Sequence, residues 1–228
     1  MAQNTFDPEK PQQMFDSYVP MAFQSDVIRM IVGAVDRAEK DCHSRFDEAE
    51  YHDMIGHWTR AEVESGLRKI AKKHKLDGQH EKNKRRTSNF SRVVSGPVVL
   101  TISQVNSPSE LVRYAEFRRS YARDSQQVLF GPQKAPAPNA PLYALILFVR
   151  GEVIKNQPVR PISIRIVFPA PVDGVEKGIK YVGGAIDLMN RFPQVMAEFE
   201  PHKGDIRSIE QIQRPEPPPL RARKDVSA

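Results

Sequence analysis

The sequence lacks several features that would assign it to a particular class of protein, such as disulfide-rich, membrane-spanning or secreted proteins. Cys42 is the one cysteine among 228 residues, which excludes an internal disulfide and a multi-cysteine metal knuckle. This fits a reducing compartment, so we expect a cytoplasmic protein. No run approaches the roughly 20 apolar residues that span a bilayer, and residues 1–10 lack a basic stretch followed by an apolar one. We therefore expect neither membrane insertion nor secretion.

Motifs of catalysis and of cofactor binding are also missing. The Gly-Gly pair at 183–184 has no Walker lysine and no further glycine at dinucleotide spacing, so it predicts a turn. His52 and His57 are five residues apart, whereas the zinc-binding His-Glu-x-x-His helix needs four. Glu152 and Lys155 are one residue further apart than in a Glu-x-Lys nuclease motif, which would put them on opposite faces of a strand. We predict no catalytic residue, no metal site and no cofactor.

Two apolar segments predict the core of a sheet. The segment 142–149 is apolar in both alternating phases, so both faces of this strand should be covered and the strand should be central. In the segment 162–168, isoleucines and a phenylalanine alternate with Ser163 and Arg165, which is typical of a half-buried neighbouring strand. A further strand is expected within residues 93–105, with a break at the Ser-Gly-Pro of 95–97.

Amphipathic helices are predicted before the sheet. From residue 25 to Phe46 the apolar side chains recur at steps of three and four, and Cys42 lies on the buried stripe. Asp47 and Glu50 have the pattern of a capping box that begins a short second helix. The Thr-Arg-Ala-Glu of 59–62 is a further capping box, expected to begin a third helix after a turn at Gly56. The result is a helix-turn-helix pattern.

One more capping pattern predicts a helix inside the second half of the chain. Ser107-Pro-Ser-Glu110 combines a capping serine, a proline at the first helical position and a glutamate three residues after the serine. We expect a helix from there to about Arg123, packed on the sheet.

Together these patterns predict an α+β fold: a helical N-terminal unit followed by a small mixed or antiparallel sheet with one packed helix, between disordered termini. The expected units are a flexible arm over residues 1–20, a helix-turn-helix-like helical unit over 21–78, a basic loop over 79–92, an α+β sheet domain over 93–200 and a disordered, proline-rich basic tail over 201–228.

Positive charge is concentrated in one stretch. The chain has a net charge of +6, but residues 60–92 hold eleven basic residues against four acidic ones, a net +7 that leaves −1 for the remainder. Such a local field attracts polyanions, because neutralised phosphates release counterions, although a solvated helix face and loop have the same pattern. The candidate phosphate contacts are Arg60, Arg68, Lys69, Lys72, Lys73, Lys75, Lys82, Lys84, Arg85 and Arg86.

Three functional hypotheses follow from this pattern. The first is a non-enzymatic nucleic-acid-associated protein of bacterial or phage type that contacts phosphates through residues 60–92. The second is a protein-binding accessory or structural factor whose basic face docks on an acidic partner. The third is an enzyme that acts on nucleic acid without a recognisable motif. The sequence leaves the oligomeric state open.

Overall fold

The structure is a computed structural model that describes residues 9–83, 89–113, 115–125, 129, 141–152, 159–170 and 180–199. Within these residues the helices are α1 (Lys10–Tyr18), α2 (Met21–Arg45), α3 (Glu48–Lys73), α4 (Glu116–Asp124), α5 (Leu188–Arg191) and α6 (Pro193–Ala197). The strands are β1 (Asp77–Lys82), β2 (Asn89–Ser95), β3 (Val98–Val105), β4 (Leu142–Arg150), β5 (Pro161–Ala170) and β6 (Lys180–Asp187). The predicted α+β fold, with a helical N-terminal unit before a sheet, is confirmed.

The strands described form one six-stranded mixed sheet in the order β1-β2-β3-β4-β5-β6. β3 and β4 are parallel, and each of the other neighbouring pairs is antiparallel. The parallel pair needs a crossover, and α4 lies in that connection. Residues 142–149 of β4 are all buried, which confirms the predicted central strand.

Both faces of the sheet are covered, and β4 contributes alternate side chains to each. Leu142, Ala144, Ile146 and Phe148 belong to the large core beneath α1, α2 and α3. Tyr143, Leu145, Leu147 and Val149 belong to a smaller core on the other face, which also contains Val112 and Ala122 of the α4 side. The period-2 geometry of a strand produces this division, which explains why neither phase of β4 is polar.

The neighbouring strand β5 follows its predicted alternation with one exception. Ile164, Ile166 and Phe168 are buried in the large core. Ile162, predicted on the same face, is 59% exposed. Arg165 on the opposite face donates a hydrogen bond to the carbonyl of Pro108.

The predicted flexible arm over residues 1–20 is wrong for residues 10–18, which form α1. Phe15 is fully buried and meets Phe168 edge to face, with ring centroids 6.2 Å apart. Pro11 and Phe15 are the buried residues of α1, and two apolar positions are too few to produce a helical period in the sequence. Residues 1–8 and the predicted tail over 201–228 lie outside the described residues.

The predicted helix-turn-helix is also wrong. α3 runs without interruption from Glu48 to Lys73, and Gly56 lies exposed inside it. The first capping prediction is correct, since the Asp47 side chain accepts a hydrogen bond of 2.9 Å from the Glu50 amide. Thr59, by contrast, is buried in the middle of the helix. A helical glycine costs only about 1 kcal/mol relative to alanine, which the long contact of α3 with α2 outweighs.

The predicted basic loop over 79–92 is wrong for residues 79–82 and 89–92, which belong to β-strands. Residues 77–82 form β1, which pairs along its whole length with residues 89–94 of β2. β1 is the edge strand of the sheet, and five of its six residues are exposed. An exposed edge strand needs no apolar alternation, so its sequence resembles a loop.

Two local predictions in the second half of the chain are also wrong. The Glu110 carboxylate accepts a hydrogen bond of 2.5 Å from the Asn106 amide, and this contact closes a turn instead of starting a helix. The helix begins only at Glu116. The Gly-Gly pair at 183–184 lies inside β6, where Gly183 has φ of 71° beside a register shift, which is a bulge instead of a turn.

Candidate nucleic-acid interface

The candidate interface begins at the C-terminal end of α3, which closes in a Schellman motif. The Leu76 amide donates to the Ala71 carbonyl at 2.9 Å, and the Lys75 amide donates to the Lys72 carbonyl at 3.1 Å. Lys75 has φ of 58°, the left-handed conformation that favours glycine. The chain therefore reverses at a lysine, and this lysine lies between the helix and β1.

The chain returns as β1 directly against α3, and Gly78 permits the close approach. A Cβ atom at Gly78 would lie 3.0 Å from the Cβ of Ala71 and 3.4 Å from the carbonyl oxygen of Arg68. Between the helix and the strand lies an open groove of about 770 Å³. Its lining residues are Ser65, Arg68, Lys69, Lys72, Lys75, Leu76, Asp77 and Gly78.

Three of the predicted lysines are exposed in this groove and have no partner among the residues that the structure describes. Lys69, Lys72 and Lys75 follow one another at three-residue steps, so they lie along one side of the helix end. Within the part of the chain that the structure describes, none of the three ammonium groups makes a hydrogen bond or ion pair. Asp77 is the acidic residue of the groove, and its carboxylate accepts a hydrogen bond of 2.8 Å from Gln79.

Two other predicted contacts, both arginines, are engaged inside the protein. The Arg60 guanidinium lies 3.2 Å from Glu64 and donates to the Asn89 carbonyl at 2.8 Å. Arg68 lines the groove, but one of its amino groups donates to the hydroxyl of Ser91 at 2.5 Å. These two arginines tie α3 to β2.

Lys73 has a structural partner as well. Its ammonium group donates to the Asp26 carboxylate at 2.7 Å, and the same oxygen lies 2.8 Å from the ring nitrogen of His74. Burial alone would raise the pKa of Asp26, but the hydrogen bonds from Lys73 and His74 outweigh it and lower the pKa to about 2. Lys73 therefore stabilises the contact between α2 and α3.

The remaining candidates do not join the groove. Lys82 is exposed at the far end of β1, and it does not line the groove. Lys84, Arg85 and Arg86 lie outside the described residues. Asp77 and Gly78 also line the groove, and sequence reasoning missed them because the candidates were chosen by positive charge alone.

A second charged cluster connects the helices to the end of β4. Glu39 accepts hydrogen bonds from Arg150 and from the Tyr51 hydroxyl, the latter at 2.7 Å, and Arg150 also donates to that hydroxyl at 2.8 Å. His43 stacks on Tyr51 with ring centroids 4.3 Å apart. These hydrogen bonds join α2, α3 and β4, although the buried Nε atom of Arg150 has no hydrogen-bond partner in the described residues. Cys42 is buried nearby, as predicted.

Neither a metal site nor a membrane-spanning helix is present in the part of the chain that the structure describes. No group of three or more His, Cys, Asp or Glu side chains is placed to hold a metal ion in the described ranges. Among the helices described, none combines the length and the apolar character needed to cross a membrane.

The chain matches no protein-family model, no curated protein and no solved structure. The proposed function is therefore based on the geometry and the charge of the protein surface.

Proposed function

We propose that the protein is a non-enzymatic nucleic-acid-associated protein, of bacterial or phage type, that contacts phosphates through the groove between α3 and β1. The observation that carries this proposal is the set of three exposed, unpartnered lysines, Lys69, Lys72 and Lys75. Ammonium groups without an internal partner remain available to phosphates, and each phosphate neutralised releases counterions.

The chemistry of the groove favours contact with the phosphate backbone. Lysine ammonium groups are compact point charges that carry little information about base identity. The helix-turn-helix, which would have placed a recognition helix in the major groove, does not form because α3 is continuous. We therefore propose binding that depends on charge and not on base sequence. We also propose that the protein acts in the cytoplasm, which the single, buried Cys42 supports.

The test replaces Lys69, Lys72 and Lys75 together with glutamine and measures affinity for single-stranded and double-stranded oligonucleotides over a range of salt. If each lysine neutralises one phosphate, the slope of log K against log salt should become shallower by about two to three units. Arg119, Arg123 and Lys180 are exposed and do not line the groove, so their replacement by glutamine is a control with the same loss of charge. An equal loss of slope in the control would assign the effect to net charge and contradict the groove.

The same experiment separates the alternatives. Wild-type protein that does not bind DNA or RNA below about 10⁻⁴ M at low salt would remove the nucleic-acid proposal, because ordinary non-specific binding is tighter than that. The acidic-partner hypothesis then predicts that the triple glutamine variant chiefly slows association with that partner. Oligonucleotides recovered shortened or modified would instead support the hypothesis of an enzyme.

A further inference from the structure

β2 separates from β3 soon after the turn that joins these two strands. In the described residues, β2 pairs with β3 only through Val93–Ser95 and Val98–Leu100. Beyond this point lies a cleft of about 490 Å³ between the N-terminal half of α3 and the segment that leads into α4. Residues 102–106 at the end of β3 line it, together with α3 residues that include Asp53 and His57, and with Glu110, Arg113, Phe117 and Arg118.

Arg118 lies in the wall of this cleft, and its charge has no carboxylate partner among the described residues. One amino group donates to the Arg113 carbonyl at 3.0 Å, and the other donates to the Ser103 hydroxyl at 3.2 Å. The Nε atom is buried and has no hydrogen-bond partner. Burial lowers the pKa of Arg118, because the charged form is removed from water.

The groups around Arg118 do not neutralise it. Glu64 is close enough to attract Arg118, but its carboxylate already accepts a hydrogen bond from Arg60. The positive charge of Arg60 in turn repels that of Arg118. The hydroxyl of Tyr143 is close, but burial raises the pKa of Tyr143 to about 12, so the hydroxyl is neutral. Glu110 in the cleft is engaged by the amide and side chain of Asn106.

Aromatic contacts hold the guanidinium in place. Arg118 lies over the Phe117 ring at 5.1 Å from its centroid. The Phe117 ring stacks on Phe90 at 3.8 Å between centroids. Arg118 is therefore positioned before any ligand arrives, and a buried charge so held is costly unless an anion meets it.

We propose that this cleft binds the oxyanion group, phosphate or carboxylate, of a small molecule, with Arg118 as its principal contact and Arg113 at the rim. The planar guanidinium group can donate two parallel hydrogen bonds to two oxygens of either a carboxylate or a phosphate. The volume of about 490 Å³ lies in the range of small-molecule sites. The cleft shares no lining residue with the groove between α3 and β1, so this proposal stands apart from nucleic-acid binding.

The test measures thermal unfolding and calorimetric binding of the full chain with inorganic phosphate, adenosine monophosphate or succinate, each up to about 10 mM at constant ionic strength. At least one probe should raise the unfolding temperature, and comparison of the phosphate probes with succinate identifies the oxyanion. Arg118→Gln should weaken binding of that probe by about ten- to a hundredfold, the loss expected for a charge-assisted hydrogen bond. Without ligand, this variant should be about as stable as wild type, because removal of a half-buried charge offsets the loss of its hydrogen bonds to Arg113 and Ser103.

Two further variants separate this site from the rest of the protein. Arg113 is exposed, so Arg113→Gln should fold normally and still weaken binding, which keeps the test decisive if the Arg118 variant unfolds. Glutamine at Lys69, Lys72 and Lys75 should leave binding unchanged. The proposal is overturned if no probe shifts the unfolding temperature, if both arginine variants bind as wild type does, or if the lysine variant alone loses binding.

Discussion

Lys75 occupies the left-handed position after α3, a place that helices commonly give to glycine. Its backbone conformation costs roughly 1 kcal/mol for a residue with a side chain. The lysine that adopts this conformation lines the groove together with Lys69 and Lys72. Strained positions of this kind concentrate at functional sites, where stability and function oppose each other.

Lys75→Gly should therefore raise the free energy of unfolding by about 0.5 to 1 kcal/mol and weaken oligonucleotide binding at the same time. Chemical denaturation and binding titrations measure the two effects. Lys75→Ala is the matched control, because it removes the ammonium group and keeps a Cβ atom. It should lose the same binding without becoming more stable. A glycine variant that is less stable than wild type would contradict the conformation of Lys75.

Among single residues, local partners were predictable and distant ones were not. The Asp47 cap was predicted because its partner, the Glu50 amide, lies three residues away. Lys73 was counted among the exposed charges of the interface, but its partner Asp26 lies 47 residues away on another helix. No pattern local to either residue indicates that pair.

At the scale of elements, α3 is the largest departure from expectation. Gly56 and the capping pattern after it indicated a turn, but α3 runs through both positions without a break and is 26 residues long in total. Apolar side chains before and after Gly56 lie on one side of α3, with Ile55, Val63 and Leu67 all buried. Burial of such a stripe along α2 stabilises the helix far more than one glycine destabilises it.

Two glycines of α3 test this continuity. A Cβ atom added at Gly56 meets nothing within 4 Å, so Gly56→Ala should raise the free energy of unfolding by about 0.5 to 1 kcal/mol. A Cβ atom at Gly66 would lie 2.7 Å from Cγ of Met30, so Gly66→Ala should lower it by about 1 to 3 kcal/mol. Denaturant titrations of both variants measure the difference. A lower free energy of unfolding for Gly56→Ala than for wild type would support a turn at Gly56, as the sequence indicated.

At the scale of the whole molecule, ion pairs between distant segments join the layers. Asp26 of α2 receives Lys73 and His74 from the end of α3, and its neighbour Arg29 donates to Glu198, just after α6, at 2.8 Å. Asp26 is the shared acceptor of this cluster, and its side chain is 13% exposed. Its ionisation therefore affects the packing of segments from both ends of the described chain.

This cluster predicts a specific dependence of stability on pH. The pKa of Asp26 is lowered from 3.8 to about 2 on folding, so its contribution is complete above about pH 4 and is lost as the pH falls toward 2. Asp26→Asn should cost about 1 to 2 kcal/mol at pH 7, after allowance for solvent screening, and almost nothing near pH 2. Unfolding curves of both proteins from pH 2 to 7 measure this.

Asp53→Asn is the control for that series, since Asp53 is exposed on α3. Exposed substitutions of this kind change stability by about 0.5 kcal/mol or less, so the control should follow wild type throughout. If Asp26→Asn differs from wild type by the same amount at pH 2 as at pH 7, the cause lies in packing and not in the charge of Asp26.

The sequence by itself determined the central strand β4, the amphipathic helix α2 and the local excess of positive charge over residues 60–92. Each depends on residues close together in the chain, where periodicity and composition are direct consequences of burial and solvation. The tertiary structure alone decided that β1 is a strand, because its hydrogen bonds come from β2. Within the described residues it also decided which basic side chains are engaged: internal acceptors bind Arg60, Arg68 and Lys73, whereas Lys69, Lys72 and Lys75 stay exposed. Only the folded chain brings those acceptors within hydrogen-bond distance.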